Sequence, residues 1–240
     1  MSYAPSTAVG KQTAQQLAGI SRTLYERGWM PGTSGNVSMR LPDDSDRALI
    51  TASGLDKGEL TARDVVEVDA RTGEASRPGQ VRPSAETSIH AAVYRATGAR
   101  AVIHVHAPYA TVVAHRAAAP DTVSSVRLER FELLKGLGLK DPASTDLPVF
   151  PNWPQVGRIA DDVAAHLAAN REGPPGLLLA DHGITTWGDS LGEARNRLEC
   201  LESLCQLLVL SRAELSRAEL SRAEPQVSRA TQAPDERTAL

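Results

Sequence analysis

Residues 101–110 read AVIHVHAPYA, and two of the chain's six histidines, His104 and His106, stand two apart inside this apolar run. The run reads as a strand, after which Pro108 opens a helical pattern. Side chains two apart on a strand share a face, so both imidazoles aim at one point. A divalent metal gives them a common reason, because each neutral ring offers a lone pair. ADHGITTWG, 180–188, supplies a third ring: His182 lies where a strand breaks at a glycine, a frequent place for a functional side chain. Three protein nitrogens leave a coordination position open, the catalytic rather than the structural arrangement. The absence of a cysteine ligand agrees. His115 and His166 sit in helical patterns without evident partners and read as ordinary core or surface residues. His90 follows Glu86 by one helical turn, which leaves open whether it faces the same pocket.

Outward from this strand, elements of both kinds alternate. Helical spacing marks 13–29, stopped at Gly28, and 82–100, where either Pro83 or Ser84 suits the start. Further helices are expected over 108–116, 128–138, 156–169 and 190–210. The last carries Leu191, Leu198, Leu201, Leu204 and Leu208 on one buried face. Strands are expected after the Pro31–Gly35 turn, over ALITASG ending at Gly54, over VVEVD before a corner at Gly73, and on both sides of His182–Gly183. SRAELSRAELSRAEP, 211–225, repeats every five residues. Each repeat turns its leucine by about 140° around a helix, so Leu210, Leu215 and Leu220 share no stripe. The tail is expected to be a solvated helix extension ending near Pro225, with a disordered remainder. The division expected is one domain over 1–212 and a tail over 213–240.

With 240 residues, 41% hydrophobic and 23% charged, the chain can build one sizeable α/β core. A net charge of -3 with scattered basic residues gives no footprint for nucleic acid or a membrane surface. The first residues, MSYAPSTAVGKQT, lack the charged start and apolar core of a secretion signal. Neither a membrane-length apolar run nor a disulfide framework is present, and the two cysteines agree with a reducing cytoplasm.

Three short turns, GTSGN at 32–36, TASG at 51–54 and PSAE at 83–86, combine glycine or a helix start with hydroxyl and amide side chains. Such turns form anion nests, although each alone is also an ordinary turn. Lys57 adds either a point charge for a phosphate or a solvated loop lysine. Glu86 and Glu132 lie in small-residue or apolar helical contexts. Each is a candidate acid–base group if desolvated beside a metal, or else a solvated helix glutamate.

Taken in order, GTSGNVSMR, ITASGLDKGEL, RPSAETSIH, IHVHAPYA, ELLKGLG and DHGITTWG resemble the class II aldolase and adducin-head superfamily over about residues 10–212. With FPN at 150–152, they look like its methylthioribulose-1-phosphate dehydratase branch. The resemblance implies a three-layer α/β/α domain with a mainly antiparallel central sheet, assembled as a homotetramer. It implies one Zn2+ on His104, His106 and His182, and phosphate contacts from Asn36, Ser53, Gly54 and Ser84. Glu132 matches the dehydratase acid–base group, and Glu86 the acidic residue that aldolase relatives use at the metal. The expected reaction is loss of water from 5-methylthioribulose 1-phosphate, to a 2,3-diketone. The alternatives are a sugar-phosphate aldolase or epimerase with the same site, or a non-enzymatic adducin-like head. The intact histidine set argues against the head domain.

Overall fold

The computed structural model describes residues 7–77 and 81–223, with side chains as far as residue 211. Helix α1 (Ala8–Glu26) precedes strands β1 (Asn36–Leu41), β2 (Asp44–Thr51) and β3 (Val65–Asp69). Then come α2 (Thr87–Thr97), β4 (Ala101–Val105), α3 (Pro108–Ala117), β5 (Ser124–Glu129) and a short 3-10 helix (Glu132–Leu137). The chain closes with β6 (Ser144–Phe150), α4 (Val156–Ala169), β7 (Gly176–Leu179), β8 (Gly183–Gly188) and α5 (Leu191–Ala223).

The strands form one sheet in the order β3-β2-β1-β4-β8-β7-β6-β5. Every pairing is antiparallel except β6 with β7. Two apolar clusters cover its faces. On one side Ile103 and Val105 of β4 pack with Leu17 and Leu24 of α1, Ala110 and Val113 of α3, and Leu198, Leu201 and Leu204 of α5. On the other, Val102 packs with Ile89 and Val93 of α2 and Ile159 and Val163 of α4. This is the expected α/β/α sandwich. The alternation along β4 puts His104 on the α2 side, at the end of the strand and in the middle of the sheet.

Three local expectations shift. α2 starts at Thr87, because residues 82–84 run extended: Ser53 N–H donates to the Arg82 carbonyl, and Pro83 bridges Ala52. Ser84 is therefore not the helix cap. Glu86 holds that position and makes no capping bond, which leaves its carboxylate for other partners. The expected helix over 128–138 is instead the end of β5, a left-handed Arg130 (φ 64°) and the 3-10 turn. β5 and β6 are additional strands. β5, at the sheet edge, alternates exposed and half-buried residues, and Pro148 interrupts the apolar second half of β6.

Gly28 (φ 74°) follows α1 as expected. α5 runs on to Ala223, across residue 212; Leu191 and Leu208 flank the fully buried Leu198, Leu201 and Leu204 as expected, while Leu207 and Leu210 are exposed. The expected end near Pro225 and the remainder of the tail lie outside the described residues. Among the described residues no helix is long and apolar enough to cross a membrane.

Candidate metal centre

His104 is the fourth residue of β4, directly opposite Asn36 of β1 and Thr185 of β8. Its Nδ1 pairs with the Thr185 hydroxyl at 3.0 Å. Its Nε2 is buried and has no hydrogen-bond partner. His106 follows the strand, with its backbone N–H held by the Trp29 carbonyl at 2.9 Å. His182 sits in the β7–β8 turn, just after Asp181 in the left-handed region (φ 57°). The next residue explains why the turn comes so close. A Cβ on Gly183 would stand 2.2 Å from the Val105 carbonyl oxygen, so only glycine lets β8 press against the backbone that carries His106.

The three rings converge. Their centroids lie 5.3 Å (His104–His106), 4.8 Å (His104–His182) and 4.6 Å (His106–His182) apart. Glu86 completes the group, with one carboxylate oxygen 3.0 Å from His182 Nε2 and the other 3.5 Å from His104 Nε2. Asn36 Nδ2 donates to the second oxygen at 2.5 Å. One ligand atom from each of Glu86, His104, His106 and His182 falls within 4.8 Å of the others.

Burial pushes the His104 imidazole down to about 4, and burial also lowers His106. Both are therefore neutral near pH 7, with lone pairs to share. Burial alone would raise the Glu86 carboxyl, but His104, His182 and the Asn36 amide overrule it and hold it well below the usual carboxylate range. Neutral imidazoles facing an ionised carboxylate, with a buried ring nitrogen left unpartnered, suit a cation at their centre. The group can hold a metal ion. His104 is sealed in, while His106, His182 and Glu86 are each partly accessible, so the centre opens on their side.

The three turns proposed for phosphate are stitched together. Lys57 Nζ donates to the carbonyls of Thr33 (2.7 Å) and Leu55 (2.9 Å), joining the first turn to the second. The Ser53–Arg82 bond joins the second to the third. Lys57 is thus buried, not a solvated loop lysine, and burial lowers its pKa. Ser53 and Gly54 (φ 75°) are exposed at their turn. The Ser84 hydroxyl accepts from the Glu86 N–H at 3.4 Å. Asn36 is committed to Glu86, so its first task is to orient that carboxylate.

Glu132 stands outside the metal group. Its side chain is 82% exposed and takes a 2.8 Å ion pair from Lys135. His90 also stays out of the group. It is buried, its Nδ1 meets the Ser38 hydroxyl at 2.7 Å, and that hydroxyl in turn meets Tyr94 at 2.6 Å. His115, read as partnerless, pairs with Asp181 at 2.5 Å, and the His166 ring packs edge-on against Phe150. Sequence reading missed Thr185 and the Trp29 carbonyl, since only strand pairing and chain reversal bring them to the histidines.

Residues 15–209 match the model of the Class II Aldolase and Adducin N-terminal domain. The chain belongs to this family. Over 207 residues it is 53% identical to a Nocardia farcinica protein named "Probable bifunctional methylthioribose-1-phosphate isomerase/methylthioribulose-1-phosphate dehydratase", covering 86% of this chain and 37% of that one. The chain thus spans little more than a third of that relative. It is 40% identical to a methylthioribulose-1-phosphate dehydratase of Sorangium cellulosum, over 85% of this chain and 95% of the relative. Among solved structures, an L-fuculose 1-phosphate aldolase superposes with a TM-score of 0.69 at 26% identity, covering 84% of this chain and 87% of that one. In this class II aldolase frame, the histidine cluster occupies the junction of β4 and β8.

Proposed function

We infer that the chain dehydrates 5-methylthioribulose 1-phosphate to 5-methylthio-2,3-dioxopentyl phosphate, a step of methionine salvage. One observation carries this reading: a four-donor centre lies in a chain 40% identical to nearly the whole of a relative bearing that name. Zn2+ is the ion assigned to His104, His106 and His182, for it favours imidazole nitrogen and keeps an open position in three-ligand catalytic sites. When bound, it supplies a Lewis acid for the sugar's oxygens.

The chain's own residues do the remaining work. Ser53, Gly54 and Ser84 hold the phosphate at the stitched turns, Lys57 places a positive charge behind them, and Asn36 ties this end to Glu86. Fixing one end of the substrate keeps the reacting carbons in position. A base takes the proton from C3, and the C4 hydroxyl leaves with a proton as water. The resulting C3 enol then tautomerises to the second ketone. One water is lost and no electrons are exchanged.

Glu132 is assigned as the proton shuttle for C3, for the C4 hydroxyl, or for both. Glu86 is the second carboxylate at the centre. Because Glu132 is exposed and outside its own chain's metal group, a homotetramer is proposed to bring it to the site of a neighbouring copy. The reaction is placed in the cytoplasm, where Cys200 and Cys205 remain free thiols.

The test is turnover by the zinc-loaded protein of methylthioribulose phosphate against fuculose and ribulose phosphates. Diketone from the first is expected. Aldehyde fragments from the others would replace the reading with an aldolase. A protein that neither binds zinc nor acts on any of them would favour the head-domain alternative.

A further inference from the structure

Glu202 lies about a third of the way along α5 and is only 5% exposed, yet it pairs with no cation among the described residues. Its two carboxylate oxygens accept the backbone N–H groups of Tyr109 (2.9 Å) and Ala110 (2.8 Å). These are the second and third residues of α3, among the donors that a helix start leaves unsatisfied. The residue that should cap them is Ala107, which has no side chain able to do so. A carboxylate from another helix therefore does the work of an N-cap, in the position the helix dipole favours. Ala107 directly follows His106, so what fixes the start of α3 also fixes the chain leaving His106.

One turn into α3, the Thr111 hydroxyl is shared between the Ala107 carbonyl (2.9 Å) and the His182 carbonyl (3.3 Å). It links the backbone after one cluster histidine to the backbone of another. Both ties reach the cluster from the side of α3 and α5, opposite α2, which bears Glu86.

We propose that Glu202 and Thr111 are positioning residues that clamp the His106 and His182 segments together and so set the affinity of the metal centre. The inference rests on the metal reading of the histidine cluster. Neither residue touches the ion or the substrate. Their effect is to keep two turns, far apart in sequence, in one register, so that two rings reach the same point.

The experiment is zinc affinity by chelator competition, with melting temperatures of the zinc-free protein measured alongside. Glu202→Gln keeps the side-chain volume but presents one acceptor oxygen, and turns an amide NH2 against the second backbone N–H. Zinc affinity should fall by about ten-fold, the lower end of what loss of a supporting contact costs a metal site. Thr111→Val should lower it in the same direction by less. Glu202→Asp, which keeps both oxygens, should recover part of the loss. If both variants melt earlier but bind zinc as tightly as wild type, the two residues are merely structural and the proposal falls. Should Glu202→Gln fail to fold, Thr111→Val decides by the same measurement. A wild-type protein that binds no zinc would instead remove the metal reading, and this inference with it.

Discussion

His104 and Glu132 are held by the fold in opposite ways. His104 is enclosed between β1 and β8, its Nδ1 is taken by Thr185, and Glu86 faces its other nitrogen. Glu132 opens a six-residue 3-10 helix and, among the described residues, is tied only to Lys135, three residues on. The first environment is complete within one chain. The second is a solvent-facing ion pair, worth about 0–1 kcal/mol, that a neighbouring surface can displace at little cost. A metal centre needs its donors in place before the ion arrives, and strands supply that rigidity. The role proposed for Glu132, a proton shuttle serving another copy, would need reach instead.

The sharpest way to break this contrast is to remove one residue from each environment. His106→Ala should lose metal and activity together. Losing a Lewis acid worth several kcal/mol lowers the rate by about a thousand-fold or more. Glu132→Gln should bind metal like wild type and lose about 10²- to 10⁴-fold in dehydration, the usual share of a general acid or base. Metal analysis beside steady-state rates separates the two. Co-assembled His106→Ala and Glu132→Gln chains should recover activity that neither has alone. No recovery would mean that Glu132 serves its own chain, or no site at all.

A smaller effect sharpens the first half of the comparison. Gly183→Ala would put a methyl group 2.2 Å from the Val105 carbonyl oxygen and 3.2 Å from the His106 Cα. Both obstacles are backbone, so β8 must move, at a cost of about 1–3 kcal/mol. Metal affinity should fall along with the melting temperature. Gly157→Ala in α4 meets nothing within 4 Å and has an ordinary helical backbone, so it should leave both unchanged or raise stability slightly. Equal behaviour of the two variants would show that close approach at Gly183 does not set the site.

These contrasts also mark how far the sequence alone could be read. The two-residue repeat of a strand pairs His104 with His106 whatever the sheet order, and a glycine break identifies His182. The role of Glu86 depends on where α2 begins. That start is decided by Pro83 and Arg82 bonding back to Ala52 and Ser53, some thirty residues away. Lys57 reads as a loop cation because its burial comes from two carbonyls in separate turns. β5 stays hidden because an edge strand lacks the continuous apolar run that marks β4 and β7, and β6 because Pro148 breaks its apolar half. Local spacing names the ligands, then, while the residues that orient them emerge only when distant segments meet.

The last and smallest effect concerns His90, which shares the α2 face with Glu86 but lies outside the metal group. Burial, reinforced by nearby His104 and opposed by Glu86, lowers its pKa from 6.5 to about 3. Ser38 and Tyr94 complete its buried surroundings without offering an ionised partner. Between pH 3 and 6.5 the unfolded chain therefore binds a proton at this position that the folded chain refuses. Stability from this group is fully present above pH 6.5 and declines as the pH falls through that window, by up to about 1.4 kcal/mol per pH unit. His104, lowered to about 4, adds to the slope in the same direction. Urea midpoints of the zinc-free protein between pH 4.5 and 6.5, on the order of that window, should thus fall with acidity, and His90→Gln should flatten the slope by close to one proton. An unchanged slope in the variant would mean that His90 takes up its proton without unfolding. The α2 face would then yield to charge more readily than its packing against β1 implies.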